Sequence, residues 1–546
     1  MSSFNQAPRQ SRRRLPFPLY EDQDQDRSTF TTCSSSSLPT PSNHFLAQRP
    51  TTTHTTRLRG EEAQDDGSLP DTSTLAAADF DVSVETGFLP PQEPVQSLKH
   101  LGNGWKEMED CLERVGQEVE KIRGGGVGKL SHSFRESVKS LPRVDCSILT
   151  TLPLLRRAHT LLAHLVHYYM HSSYPSQTVV PSSLSIPLVY VSEQLGIPPI
   201  LTYADTVLWV WKLSDPTQPL SASNVKISTR FTRSESEEAF FLLSLFCELK
   251  GPKILRLMSS TLDETFFRDR VSLVRIAGYL ENISILIDEL TSLLKDAVKG
   301  EFGPLGNRQS IEPSTFYWEI RPWFNGGKWF YQGVGGEKEK EMEWGGPSAG
   351  QSSLVHAIDL FLGIDHSPRR QGGTGGGGSG LSDSTFMQRM STYMPRHHRS
   401  FLQHLVSIHS PASSSSSSSS NSLPSLRTLV LEHPQELQPS YDRAVLSMKR
   451  FRDSHIILAT HFIVSQARHP PSPDSVHFKE WETKRLEKVK SEKKLREEGE
   501  EEEEQGEGEG KKRKDVIVGT GGTDLSKFLK LCRDRTKEAL IEQQQP

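Results

Sequence analysis

Residues Tyr441–Val464, YDRAVLSMKRFRDSHIILATHFIV, carry the pattern on which the reading of this chain turns. Taken as a helix, the stretch lines up Ala444, Met448, Phe451, His455, Ala459 and Phe462 at steps of three and four, an apolar stripe with one imidazole in it. Pro439 and Ser440 stand just ahead, and Ser440 suits an N-cap because its hydroxyl can accept from an otherwise unpaired first-turn amide. A buried imidazole needs partners for its ring nitrogens. Two are open to His455: a backbone carbonyl, which would make it an ordinary core histidine, or a metal or haem iron.

Working outward, the 546-residue chain is long enough for several domains, but only 34% of it is hydrophobic and its mean hydropathy is −0.51, so a globular core is diluted by polar segments. A net charge of −4 gives no basic field for nucleic acid. Five scattered cysteines without a CxxC pair exclude a zinc ribbon and a disulfide framework and fit a reducing, cytoplasmic setting. The longest apolar run, Phe240 to Cys247, is too short to cross a membrane, and Arg12–Arg14 precede no apolar segment of a secretory signal.

Residues 1–78 are rich in Ser, Thr, Gln, Arg and Pro and read as a disordered tail. Helical patterns follow over Ser97–Ile122 and Leu152–His171, and an apolar piece broken at Gly196 and Pro198–Pro199 is expected to end as a helix near Asp215. A polar connection over 221–238 leads to further helices, the apolar one opening at Glu238 and a long amphipathic one over Val271–Val298. Residues 312–353 then change character. Arg321 sits among Phe316, Tyr317, Trp318, Trp323 and Phe324, a setting for a stacked structural arginine or for an anionic ligand with an aromatic body. Gly345–Ser353 reads as a tight turn in which Ser348 and Ala349 are small enough for close approach to a flat ligand. Gln371–Gly380, Ser413–Ser420 and the Glu/Gly stretch after Glu500 are low-complexity inserts, and Gly519–Asp524 forms a glycine hinge before a last helix.

Two rival sites need weighing. GGGVGKL, Gly124–Leu130, has Arg123 where a phosphate loop needs its first glycine and Leu130 where it needs Ser or Thr, so it reads as a plain loop. His164, His167 and His171 share a helix face and could ligate a metal, but no carboxylate or cysteine accompanies them, and the expectation is a solvated or partly buried polar face.

Four stretches, the His455 helix, GGPSAGQSS (345–353), FYWEIR (316–321) and GTGGTD (519–524), together resemble the indoleamine 2,3-dioxygenase family, in a fungal form given the inserts. PPILTYAD (198–205), FFLLSL (240–245), IDLFLGI (358–364) and YMP (393–395) support the resemblance, which runs in order from about residue 80 to 540. It implies an all-α protein: a smaller, mainly helical N-terminal domain over 79–228 and a large helical haem domain over 229–546, with inserts near 368–384, 410–424 and 466–517. It implies haem b with one protein axial ligand, L-tryptophan and O2 as substrates, N-formylkynurenine as product, an electron donor that keeps the iron ferrous, and a cytoplasmic monomer without nucleic-acid or membrane partners. His455 matches the iron ligand and Arg452 the residue near a haem propionate. Arg321 matches the partner of the substrate carboxylate, while Phe316, Tyr317, Tyr203, Phe240 and Ser244 match the pocket. Ser348 and Ala349 match the loop against the haem, and Thr523 the mobile-loop residue that closes over the amino acid. Thr206 and Tyr317 depart from the cysteine and phenylalanine often found there. The alternative functions are a haem- or oxygen-binding sensor and a low-affinity paralogue; a sensor has no need of an arginine clamp.

Overall fold

The computed structural model describes residues 75–541 apart from 103, 305–307, 336–339, 368–385, 410–424, 480, 484 and 488–524. The expectations for the N-terminal tail up to residue 74, the glycine and serine inserts and the 519–524 hinge fall outside these residues, while at the end of the expected tail Leu75 and Ala77 are buried in a core. The protein is mostly helical, as expected. Its longer helices are α1 (Trp105–Glu120), α2 (His132–Lys139), α3 (Leu152–Met170), α4 (Ser182–Leu195), α5 (Glu235–Glu248), α6 (Gly251–Glu264) and α7 (Arg270–Val298). After these come α8 (Ser353–Phe361), α9 (Phe386–Ser391), α10 (Arg396–His409), α11 (Leu426–Glu432), α12 (Pro434–Ala459) and α13 (Leu525–Glu538). No helix among the described residues is long and apolar enough to cross a membrane.

The His455 helix, α12, is organised by its partner α7. On α7, Leu273, Ile276, Leu280, Ile283, Ile287, Leu290 and Leu294 are buried at alternating steps of three and four. On α12, Leu437, Tyr441, Ala444 and Met448 repeat that rhythm. Arg443 pairs with Glu281 at 2.7 Å and Arg450 with Asp288 at 2.8 Å, seven residues later on both helices, so the two run parallel in a coiled-coil-like seam. Each fully buried Leu or Ile there contributes about 1.5–3 kcal/mol. The helix starts earlier than Ser440 predicts. Pro434 occupies its first turn, where a missing amide costs nothing, and Pro439 lies inside it.

Short strands are the feature that helical periodicity did not predict. Trp211–Leu213 (β1) pairs antiparallel with Val225–Ile227 (β2), so the helix expected to end near Asp215 is instead a turn over Ala204–Leu208 followed by a strand. Gly327–Tyr331 (β3) pairs antiparallel with Lys340–Trp344 (β4) and parallel with the two-residue strand Val179–Val180. Apolar side chains fall into two cores. One gathers α1, α3, α4, α5 and the aromatic 316–331 segment; the other gathers α6, α7, α8, α10, α11 and α12. Phe451, one turn before His455, packs against both, which places the iron-ligand candidate at the seam between them.

Candidate active site

Helix α5 presents one stripe to the site. Ser234 caps it by accepting from the Glu237 amide at 3.2 Å, and the acidic first turn of Glu235, Glu237 and Glu238 suits the helix dipole. Phe240, Ser244 and Glu248 then follow at steps of four on one face. Phe240 and Ser244 remain half-buried between the fully buried Ala239, Phe241, Leu242, Leu243 and Leu245, and the Ser244 hydroxyl makes no hydrogen bond among the described residues.

Opposite lies the aromatic segment. Pro313–Thr315 runs into a π-helical turn over Phe316–Ile320, whose extra residue per turn re-aims side chains as such bulges do at functional sites. Similar turns occupy Ala204–Leu208, directly after Tyr203, and Thr460–Val464, directly after α12. The Phe240 and Phe316 rings meet with centroids 4.5 Å apart, and Phe316 meets Phe462 edge-on at 6.0 Å. Three separate elements are thus joined by aromatic contacts. Arg321 follows at the end of the π turn, with its guanidinium carbon 5.5 Å from the Tyr317 ring centre. Burial pulls the Arg321 pKa down, opposed by Tyr317, so a carboxylate arriving there would meet a partly desolvated cation.

The small-residue turn closes a third side. Gly346 is obligatory, since a Cβ there would lie 1.7 Å from the Phe324 carbonyl oxygen. Ser348 accepts from the Gly350 amide at 3.2 Å and caps a short turn over Ala349–Gln351; Ser348 is half-buried and Ala349 exposed. The Tyr203 amide donates to Gln351 Oε1 at 2.8 Å and its hydroxyl to Glu248 Oε1 at 2.9 Å, while Gln351 Nε2 donates to the Gly346 carbonyl at 2.9 Å. The turn is therefore laced to Tyr203 and to the far end of the Phe240–Ser244–Glu248 stripe.

His455 itself is half-buried, and neither ring nitrogen has a hydrogen-bond partner among the described residues. Burial, with the nearby Arg452 charge, pushes its pKa down to about 4, so the ring is neutral and carries a lone pair. A core histidine would have found a carbonyl. A neutral, unbonded imidazole at the seam of two apolar cores suits an axial ligand to a flat, largely apolar cofactor. Arg452 is one turn back but committed elsewhere: it donates to Asp359 Oδ2 at 2.5 Å and to the Thr536 hydroxyl. Asp359 also takes His366 Nε2 at 2.9 Å.

The histidine row is settled by its hydrogen bonds. Far from a solvated or partly buried face, all three rings lie in the core, because α3 is buried on every side from Leu155 to Met170. His164 Nδ1 meets the Thr160 carbonyl at 2.7 Å, His167 Nδ1 the Trp323 carbonyl at 2.7 Å, and His171 Nε2 the Asn325 carbonyl at 2.8 Å. No group of three or more potential metal ligands occurs among the described residues. Burial pushes these pKa values down to about 4, about 3 and about 4. The native rings thus stay neutral where the unfolded chain takes up protons below about 6.5, so their contribution is full above that pH and is lost as pH falls towards 4. Each proton contributes up to about 1.4 kcal/mol per pH unit. The denaturant midpoint should fall steeply below pH 6.5, and His164→Phe, which keeps the stack on Phe231 (4.8 Å), should reduce the slope by about one proton. An unchanged slope in that variant would assign the acid sensitivity to other groups.

The sequence model of the family described as indoleamine 2,3-dioxygenase matches residues 76–539. The chain belongs to the indoleamine 2,3-dioxygenase family. It is accordingly a dioxygenase, an oxidoreductase. It is 29% identical over 482 residues to the indoleamine 2,3-dioxygenase of Saccharomyces cerevisiae, covering 83% of this chain and 91% of that one. It is 28% identical over 473 residues to indoleamine 2,3-dioxygenase 1 of Rattus norvegicus, covering 85% and 95%. A Fusarium equiseti protein named 6-hydroxytryptophan 2,3-dioxygenase is 29% identical over 398 residues, covering 70% and 84%.

Of the residues singled out in the sequence, the structure gathers Tyr203, Phe240, Ser244, Phe316, Tyr317, Arg321 and the Ser348–Ala349 turn around one region, joined to the His455 helix through Phe462. The Arg452 guanidinium turns instead to Asp359, and Thr523 lies outside the described residues. Glu248 and Asp359 were not singled out. Their signal was an acidic residue at the end of, or within, an apolar run, FFLLSLFCE and IDLFLGI.

Proposed function

We propose that this chain is a haem-dependent dioxygenase that opens the indole 2,3-bond of L-tryptophan with O2, placing both oxygen atoms in N-formylkynurenine. The observation that carries this reading is the unbonded, neutral His455 on a helix tied through Phe462 and Phe316 to the Phe240 stripe and to Arg321. Bound haem would supply the iron at which O2 is activated, with an external donor holding that iron ferrous. His455 would hold the group from one side. Phe240, Phe316 and Tyr317 would wall a flat indole, and Arg321 would take its carboxylate in a charge-assisted pair. The net reaction moves no proton or electron in or out, so the pocket needs orientation and dryness more than an acid–base pair; Ser244 offers a free hydroxyl on the stripe. The Fusarium relative's name extends the substrate class to ring-hydroxylated indoles, for which the Tyr317 and Ser244 hydroxyls are candidate partners.

An ultraviolet-visible spectrum of the purified protein under carbon monoxide, with and without L-tryptophan, tests the reading: a Soret band that shifts on addition supports it, and a colourless protein overturns it. Arg321→Ala should keep the Soret band but bind tryptophan more weakly by roughly 2–3 kcal/mol, about 30- to 150-fold. Tryptamine, which lacks the carboxylate, should bind both forms alike; an equal loss for both ligands would place the clamp elsewhere.

A further inference from the structure

Glu248 is a buried carboxyl that the proposed chemistry does not use. It is 1% exposed at the end of α5, and its two oxygens are treated unequally. Oε1 accepts from the Tyr203 hydroxyl at 2.9 Å and from the Ser352 hydroxyl at 2.8 Å; Oε2 is buried with no partner. Oε1 can take both donors in either protonation state, so the choice falls on Oε2, where a neutral hydroxyl is far less costly to bury without a partner than a charged oxygen. An ionised carboxylate would leave a charged oxygen unsolvated.

Among the described residues the surroundings supply no countercharge. On its own helix the neighbour is the Cys247 thiol, which burial above all pushes up to about 12, so it stays uncharged. Lys250 is drawn off by Glu289 at 2.5 Å. From the Ala204–Leu208 turn, Asp205 is committed to His159 at 2.7 Å, and Tyr203 is held a donor by burial that raises its pKa well above normal. From α8, Ser353 Oγ is buried without a partner, and His356 is turned to the Gly350 carbonyl at 2.9 Å. Burial therefore raises the Glu248 pKa to about 7, against the two hydroxyl hydrogen bonds that lower it.

We propose that Glu248 is a positioning residue that latches the Gly346–Ser353 turn onto Tyr203 and α5 while it is a neutral acid, and that loss of its proton to solvent releases the latch. The Gln351 bond to the Tyr203 amide is a second strand of the same lacing. Because Ser348 and Ala349 lie in this turn and Tyr203 and Ser244 line the stripe, the latch would set the shape of the site; that consequence rests on the function proposed above, whereas the latch itself does not.

The linkage sign is fixed by the raised pKa. A released turn exposes Glu248 with an ordinary value of 4.5, so the latch is full below that pH, weakens up to tenfold per unit as pH rises towards about 7, and levels off above. Hydrogen exchange of amides 346–353 in the purified full chain, corrected for intrinsic rate and referenced to α7 amides, reads this directly between pH 5 and 8. Protection in the wild type should fall on the order of 100-fold and then plateau. Glu248→Gln, which keeps an acceptor for both hydroxyls and cannot ionise, should stay protected and flat; Glu248→Ala should be unprotected throughout. A flat wild-type profile, or a Glu248→Gln profile that tracks the wild type, overturns the proposal. In parallel, KM for L-tryptophan should rise with pH in the wild type and not in Glu248→Gln. If tryptophan is not turned over at all, the function fails while the exchange result still decides the latch.

Discussion

On the function proposed above, His455→Ala is expected to purify without most of the haem that the wild type would carry. The ring is the one imidazole on the stripe that faces the seam between the two cores, and no carbonyl or carboxylate among the described residues occupies its nitrogens. Removing it would leave a haem group held by apolar contact alone, without the imidazole that would anchor its iron. The fold should survive, because the α7–α12 seam is made by Leu437, Tyr441, Ala444 and Met448, all N-terminal to His455. Soret absorbance per protein, together with far-ultraviolet circular dichroism, separates the two outcomes. Added imidazole, able to enter the space left by the side chain, should restore part of the band. His461→Ala is the control: it lies on the following π turn, and its ring packs edge-on to Phe462 at 4.9 Å. Full haem in His455→Ala with loss in His461→Ala would move the ligand by six residues.

The helical framework was legible because its information is local and periodic. The α7 repeat and the Ala444–Met448–Phe451–His455 stripe can be counted in the sequence, since a buried helix face must repeat every three or four residues. The strands were not, because they are two to five residues long and β1 follows an apolar run that reads equally well as helix. The burial of the α3 histidines was also missed: a helix covered on all sides has no polar face to betray it, and one nitrogen of each ring meets a carbonyl, such as that of Trp323, 156 residues from His167. The same holds for the acidic groups. Tyr203 and Glu248 are 45 residues apart, and Asp359 and Arg452 are 93 apart, so nothing in either stretch announces its partner. The resemblance named Arg452 by its motif but said nothing of Asp359, which the packing of α8 against α12 and α13 supplies.

That pair leads to the largest expected effect on stability. Asp359 and Arg452 are both almost fully buried, at 2% and 7% exposure, and Asp359 Oδ2 receives Arg452 and His366 together. Burial alone would raise the Asp359 pKa, but the Arg452 charge and the His366 contact outweigh it and bring it down to about 2. An aspartate held below its ordinary 3.8 contributes stability that is present above that pH and lost as pH falls through about 2, a contribution of roughly 2 kcal/mol. Asp359→Ala does more than remove this. It leaves the Arg452 guanidinium buried with the Thr536 hydroxyl and no counterion, which costs about 3–5 kcal/mol. Asp359→Asn keeps an acceptor without the charge and should cost less, about 1–3 kcal/mol. The double variant Asp359→Leu with Arg452→Met removes both desolvated charges and should recover much of the loss, since a buried ion pair often does no better than an apolar pair of similar volume. Denaturant midpoints at pH 7 for the wild type, both single variants and the double variant test this ordering. A double variant as unstable as Asp359→Ala would mean that α8, α12 and α13 are held together by the hydrogen-bond geometry of the Asp359–Arg452–Thr536 cluster, and that charge compensation is secondary there.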